Sequence, residues 1–426
     1  MTYIRAHVPP EDGGISKTAI FEHLGELLSS LQSDGYGLET VLAVPPDITR
    51  LHSGSGEVLA EVYRHLGNRL TDVLPAVGTH VPMSAGEIAR MYPDIPASLF
   101  RPHDFRRDVV NLGSIDAAFI EEQSEGKLSF EWPAQISRMV AAREHDLVLS
   151  IGQVVPHEVI GMANHSKNLF VGTGGAEAID KSHYLGAVYG MERIMGIADT
   201  PVRRVLDRAA DSFTGDLNVV YILTVVAPGP EGHPVITGLF AGSGTECFYE
   251  ASELARKYNV VHLDRAPETV VVSLDPETYH STWVGNKAIY RTRKAIADAG
   301  SLYIHAPGVK VFGEDTEIDR LIRRYGYCGT EAVLDAVDRE SELSTQLSAA
   351  AHLIHGSSEG RFSVTWAPDG LAKEEIESVG YQYSDPDTLA ERFRIPELKD
   401  GWNTVNGEEV FYISQPGLGL WEADRG

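Results

Sequence analysis

The sequence predicts an α/β fold of two domains, each with a mixed or mostly parallel sheet flanked by helices, and a site in the cleft between them. Three observations predict it. Short apolar runs end repeatedly in polar loops that open helices, as in TVLAVPPDITR, in GTHVPMSAGEIARMY and after DLVLSI. At 426 residues the chain is longer than one hydrophobic core usually serves. A fresh series of strand and helix patterns then starts beyond residue 265, which divides the chain into residues 1–265 and a smaller C-terminal α/β domain, residues 266–426.

The elements follow in order. AIFEHLGELLSSLQ, Ala19 to Gln32, spaces its apolar residues as an amphipathic helix does. Val41 to Val44 read as a strand that Pro45 and Pro46 stop, so Asp47 and Arg50 sit just past its end. Leu74 to Val77 read as the next strand, followed by Gly78-Thr79-His80 and by a helix that Ser84 caps, with Glu87 in its first turn. Asp146 to Ile151 lead into the stretch richest in chemistry, GQVVPHEVIGMANHSKNLFVGTGGAEAIDKSH, Gly152 to His183. A helix from Val202 to Ala210, the strand NVVYILTVV and a helix from Glu246 to Asn259 complete the first domain. The second offers the strand ETVVVSLDP, a long helix from Val284 to Ala299, the strand SLYIHAP, a helix through Glu317 to Tyr325 and a short edge strand in GEEVFYISQPG.

Composition excludes several classes. With 61 acidic against 36 basic residues, a net charge of −25 repels a phosphate backbone and argues against nucleic acid as a partner. The longest apolar run, Val219 to Ala227, is too short to cross a bilayer and reads as a buried strand. The N-terminal MTYIRAHVPPEDGG carries no basic and apolar leader. Cys247 and Cys328 form no CxxC, so free thiols in a reducing cytoplasm are expected.

The Gly-rich turns HSGSGE, GTGGAE and AGSGTE each match part of a phosphate cradle, yet none completes GxGxxG after a strand, and no GxxxxGK[ST] occurs. Turn and cap roles are the better explanation of their glycines, and a standard nucleotide enzyme is not expected. Among the 16 histidines, His352 and His355 share a helix face but have no neighbouring carboxylate or Cys, which favours packing. His80, His157 and His183 differ. Each follows a strand or a Gly-rich turn, as Asp47, Arg50 and Lys167 also do, and in α/β sheets ligands collect at such positions.

Here the chain resembles a known family. DITR (Asp47 to Arg50), GTH (Gly78 to His80), VPH (Val155 to His157), Lys167 ten residues on and His183 sixteen further stand in the order found in the nickel-dependent lactate racemases, a family of 2-hydroxy acid racemases and epimerases. The resemblance implies an isomerase that inverts C2 of a 2-hydroxy acid by hydride transfer to a nickel-pincer nucleotide, pyridinium-3,5-bisthiocarboxylic acid mononucleotide nickel, and back. It implies that Lys167 is the covalent tether and His183 the nickel ligand, a square-planar set suited to Ni(II). His80 and His157 become the paired acid and base groups, with Asp47 orienting one of them. Arg50 and Lys287 hold the substrate carboxylate, Trp283 lines the substrate, and Gly172, Gly174 and Gly175 line the cofactor. The N-terminal domain is then catalytic and cofactor-binding, and its partners are the small acid and the proteins that make the cofactor.

The match departs from the lactate pattern in two places. MANHSKNLF, Met162 to Phe170, keeps the lysine but replaces the Ser-Gly-Gly-Arg run before it, and WVGNK, Trp283 to Lys287, replaces a Tyr-Gln pair. Asn164, His165, Asn168 and Asn286 are therefore weighed as contacts to a larger acid, such as a sugar acid or malate, against service to backbone or cofactor. Arg361 and Trp366 remain unplaced. Two rivals stay open: a zinc hydrolase with His80, His157 and His183 on the metal and Asp47 activating water, and a non-catalytic carrier of the cofactor.

Overall fold

The computed structural model describes residues 1–230, 232–339 and 341–424. It is an α/β protein with two mixed, mostly parallel six-stranded sheets flanked by helices. The chain forms two compact units: Met1–Leu185 with Ile194–Tyr258, and Gly186–Arg193 with the chain from Asn259 onward. No helix among the described residues is long and apolar enough to cross a membrane.

In the first unit the sheet runs Thr2–His7, Pro234–Gly242, Val219–Pro228, Leu147–Gln153, Val41–Val44 and Leu70–Val73. The first three strands pair antiparallel and the last four pair parallel. Val41–Val44 is buried at every position, as a parallel strand covered on both faces must be. The helix Lys17–Ser33 starts at Ser16, whose hydroxyl accepts from the Ala19 amide, and buries Ile20, Leu24, Leu27, Leu28 and Leu31 against this sheet's core.

The strand expected at Leu74 to Val77 lies earlier, at Leu70–Val73. Pro75 has no N–H to continue a ladder. The Leu74 and Ala76 amides still donate to the Ala43 and Pro45 carbonyls, at 2.8 Å each, so this segment follows its neighbour without being a regular strand. Ser84 caps the next helix, Ala85–Met91, in a full capping box with Glu87.

In the second unit the sheet runs Gln382–Tyr383, Ser363–Pro368, Ser301–Ala306, Thr269–Ser273, Glu408–Ile413 and Gly401–Val405, antiparallel only at the last pair. Glu408–Ile413, expected at an edge, is thus interior, and the hairpin strand Gly401–Val405 covers it. The long helix expected from Val284 to Ala299 is two short ones, Thr282–Gly285 and Lys287–Thr292. Past Ile296 the chain leaves helical bonding: the Ala297 amide donates to Pro267 and the Ala299 amide to Arg361. Cys247 and Cys328 are free thiols.

Candidate active site

Asp47, Arg50, His80, His157, Lys167 and His183 all belong to the first unit. Asp47 follows Val41–Val44 and caps the short 3-10 turn Ile48–Arg50, accepting from the Thr49 amide at 3.2 Å and the Thr49 hydroxyl at 2.5 Å. Its other oxygen lies 2.6 Å from Nδ1 of His80. Burial alone would raise the Asp47 carboxyl, but the hydrogen bonds and charge of His80 and the bonds from Thr49 outweigh it and hold the group below the usual carboxylate range. An ionised Asp47 fixes the proton of neutral His80 on Nδ1 and leaves a lone pair on Nε2. The His80 side chain is 56% exposed, as a group that meets a soluble substrate should be.

His157 sits on a small antiparallel hairpin, Pro156–His157 with Gly161–Met162. The Val159 amide donates to its Nδ1 at 3.2 Å, so the neutral ring carries its proton on Nε2. Burial drives its pKa well below 6.5, Glu158 opposes, and the positive charges of Lys167 and Arg50 push it further down.

Lys167 emerges from a braced loop. Asn164 and His165 both take the left-handed conformation, at φ 71° and 59°. Arg203, fully buried, holds this bend by donating to the Met162 and Asn164 carbonyls and the Ser166 hydroxyl at 2.8, 3.0 and 2.8 Å. Ser166 in turn donates to Asp207, and the Arg203 guanidinium lies 4.0 Å over the Phe248 ring. Asn168–Gly172 then forms a π-helical turn, a form often found at functional sites. Desolvation, with help from Arg50, lowers the Lys167 amine to about 8, against the pull of Glu158 and Asp47.

His183 lies on the helix Ala176–Tyr189, which Trp132 clamps by donating to the Ala178 carbonyl and the Ser182 hydroxyl at 3.0 Å each. Its Nδ1 donates to the Ile179 carbonyl at 2.7 Å, which leaves the Nε2 lone pair free. A backbone carbonyl behind the ring is the usual support of a metal-binding histidine. Burial lowers its pKa, so the ring is neutral and able to coordinate.

The glycines are held by packing. A Cβ on Gly172 would lie 2.8 Å from that of Ala76, one on Gly174 would lie 1.9 Å from the Phe170 carbonyl oxygen, and one on Gly175 would lie 2.3 Å from the Gln135 amide oxygen.

The polar residues around Lys167 serve the protein itself. Asn168 donates to the Val44 carbonyl and the Ser150 hydroxyl, Asn164 accepts from the His165 amide, and His165 stacks on Tyr221 at 3.8 Å. All three are buried, and these contacts brace the tether loop. Arg361 is taken up by Glu192, Asp298 and two backbone carbonyls, and Trp366 is fully buried in Ser363–Pro368.

Glu158 was not singled out in the sequence, yet its carboxylate opposes the downward shifts of His157, Lys167 and His183 alike. Its place directly after His157 was the available signal. Trp283 and Lys287 belong to the second unit, where Trp283 is half-buried on Thr282–Gly285 and Lys287 opens the helix that follows. Among the described residues no three His, Cys, Asp or Glu side chains converge to hold a metal ion. A zinc hydrolase using His80, His157 and His183 together needs that convergence, which counts against it.

Residues 17–194 match the family described as lactate racemase N-terminal domain. Among solved structures, the chain is similar to a protein from Thermotoga maritima at 23% identity and a TM-score of 0.80, over 98% of this chain and 100% of that one. It is also similar to the lactate racemase apoprotein from Thermoanaerobacterium thermosaccharolyticum at 17% identity and a TM-score of 0.70, over 96% of this chain and 93% of that one. No curated protein matches it. At these identities the two structures establish the shared fold.

Proposed function

Since this chain belongs to the lactate racemase family through its N-terminal domain, we propose that it is a nickel-dependent isomerase that inverts C2 of a 2-hydroxy acid. One observation carries the proposal: Lys167, a desolvated amine held near 8, bears electrostatically on His183, whose Nε2 is left free behind a fixed Nδ1–H bond. Those are the two groups a tethered nickel-pincer nucleotide asks of the protein. A single imidazole also suits a metal that arrives with its other donors already in place, in a chain without a three-ligand cluster among its described residues.

When bound, the nucleotide supplies an electrophilic centre that takes hydride and returns it. The chain's residues do the rest. The planar fork of Arg50 holds the substrate carboxylate and fixes its orientation, and the family resemblance assigns Trp283 and Lys287 to substrate binding as well. His80 takes the hydroxyl proton of one enantiomer at Nε2, with Asp47 stabilising the imidazolium that forms. The 2-oxo acid left behind is planar, and Arg50 would keep it by its carboxylate while the carbonyl turns to present its other side. His157 handles the proton for that side; taking one up at Nε2 requires the ring to give up its Val159 bond and move its own proton to Nδ1.

The substrate is a small 2-hydroxy acid other than lactate, of the size of malate or a sugar acid, because WVGNK departs from the lactate pattern. The protein works in the cytoplasm, with cofactor-synthesis proteins as its partners, a setting that suits its two free thiols.

The test is intact-mass and metal analysis of protein made in a host that synthesises the nucleotide. The proposal expects a covalent adduct on the wild type, absent in Lys167→Ala, with nickel present in proportion to the adduct. Zinc without an adduct overturns it, and adduct with no inversion of any acid in a broad panel makes the chain a carrier.

A further inference from the structure

Behind Trp283 and Lys287 lies a buried polar network that the reaction as described does not use. Its hub is His352, on the helix Leu347–Gly356 and 4% exposed. The Tyr290 hydroxyl lies 3.1 Å from one ring nitrogen and the Tyr327 hydroxyl 2.9 Å from the other. Burial holds its pKa well below 6.5, so the ring is neutral, giving one proton and accepting one. Held at both nitrogens, it cannot turn without breaking a buried hydrogen bond.

The network ends on one short segment. His352 stacks on Trp283 with ring centroids 4.1 Å apart at 24°. Tyr327 also reaches the Thr282 hydroxyl at 3.1 Å. The Asn286 amide nitrogen lies 3.4 Å from His352, and its oxygen accepts from Tyr381 at 3.2 Å. Thr282, Trp283 and Asn286, which immediately precedes Lys287, are thus all fixed from the same hub. Gly356 permits the approach: a Cβ there would lie 2.4 Å from the Tyr327 ring and 2.6 Å from the Asn286 amide nitrogen. Apolar side chains would fill this volume at less desolvation cost, so a fully satisfied polar cluster here calls for a purpose beyond packing.

We propose that His352 is the positioning residue of the substrate-binding segment Trp283–Lys287, and that by fixing the plane of Trp283 it sets which 2-hydroxy acids this segment accepts. The inference rests on the function proposed above. A ring stacked on a locked imidazole presents a rigid wall, and rigid walls discriminate by size and shape where mobile ones adapt.

The test uses the full chain labelled with fluorotryptophan, with the Trp283 resonance assigned by Trp283→Phe. In His352→Gln, which retains hydrogen bonding but loses the ring, the Trp283 fluorine resonance shifts and broadens while those of Trp132 and Trp421 hold. His352→Phe, which keeps a ring to stack, restores part of the sharpness. In the cofactor-loaded enzyme His352→Gln raises KM for its preferred acid about tenfold or more, lowers kcat less than about threefold, and changes the ranking of acids in a panel. An unmoved Trp283 resonance, or one that moves together with every other tryptophan, overturns the proposal, as does an unchanged ranking. If the loaded wild type inverts no acid, the proposed function fails, while the fluorine spectra of variant and wild type titrated with the same acids still decide the role of His352.

Discussion

Asp47 Oδ2 lies 2.6 Å from His80 Nδ1, and the same carboxylate caps the turn that carries Arg50. One buried group therefore sets the tautomer of the proposed base and the position of the residue proposed to bind the substrate carboxylate. Asp47→Asn separates these duties, because Asn caps a helix about as well as Asp but cannot stabilise an imidazolium. The expected result is a fall in kcat of about 10²–10⁴-fold in the loaded enzyme with a loss of stability under about 1 kcal/mol, read by steady-state kinetics and urea unfolding.

Lys167 should react as an unusually available amine. With its pKa near 8 in place of 10.5, about a tenth of it is neutral at pH 7, against roughly one part in three thousand for an ordinary lysine. Amine-directed labelling of the cofactor-free protein, followed by peptide mass spectrometry, should reach half its maximal rate at Lys167 near pH 8. Because Arg50 helps to depress this amine, Arg50→Gln should move the midpoint upward.

Acid stability gives a third test. His157 and His183 have folded pKa values below the ordinary 6.5, so as pH falls through that value the unfolded chain binds protons that the folded chain refuses. Their contribution is fully present above about pH 6.5 and is lost below it, at no more than about 1.4 kcal/mol per pH unit for each ring. His157→Gln should flatten the fall in urea midpoint between pH 6.5 and 5. An equally steep fall would place the sensitivity elsewhere.

The brace behind the tether predicts a structural cost. Arg203 is fully buried, with its fork spread over two carbonyls and a hydroxyl, so Arg203→Ala leaves Asp207 and those groups without their partner. A loss of about 3–5 kcal/mol by urea unfolding is expected. Arg203→Lys, keeping the charge without the fork, should recover only part of it.

Much of this was legible because it is local. Pro45 and Pro46 mark the end of a strand, so Asp47 and Arg50 could be placed beyond it, and Ser84 with Glu87 spelled out a capping box that forms as expected. The order and spacing of His157, Lys167 and His183 were readable in the sequence, and all three fall in the first unit. What stayed hidden depends on tertiary partners. The break at Asn286 sits in a helical pattern, and Tyr381 and His352, distant in sequence, give its side chain somewhere to go. Glu408–Ile413 looked like an edge because nothing in its own residues shows that Gly401–Val405 folds over it. The bracing of the MANHSKN stretch against Arg203 and the sheet was likewise hidden, because its partners lie far along the chain.

Hydride transfer at C2 is the central claim, and isotope tracing tests it most directly. One enantiomer of the preferred 2-hydroxy acid, deuterated at C2, is converted by the loaded enzyme in ordinary water, and the product enantiomer is isolated and weighed by mass spectrometry. Return of the same hydride predicts that the inverted product keeps its deuterium at C2. Replacement of that deuterium by solvent hydrogen, in step with inversion, would contradict the account and point to proton abstraction at carbon.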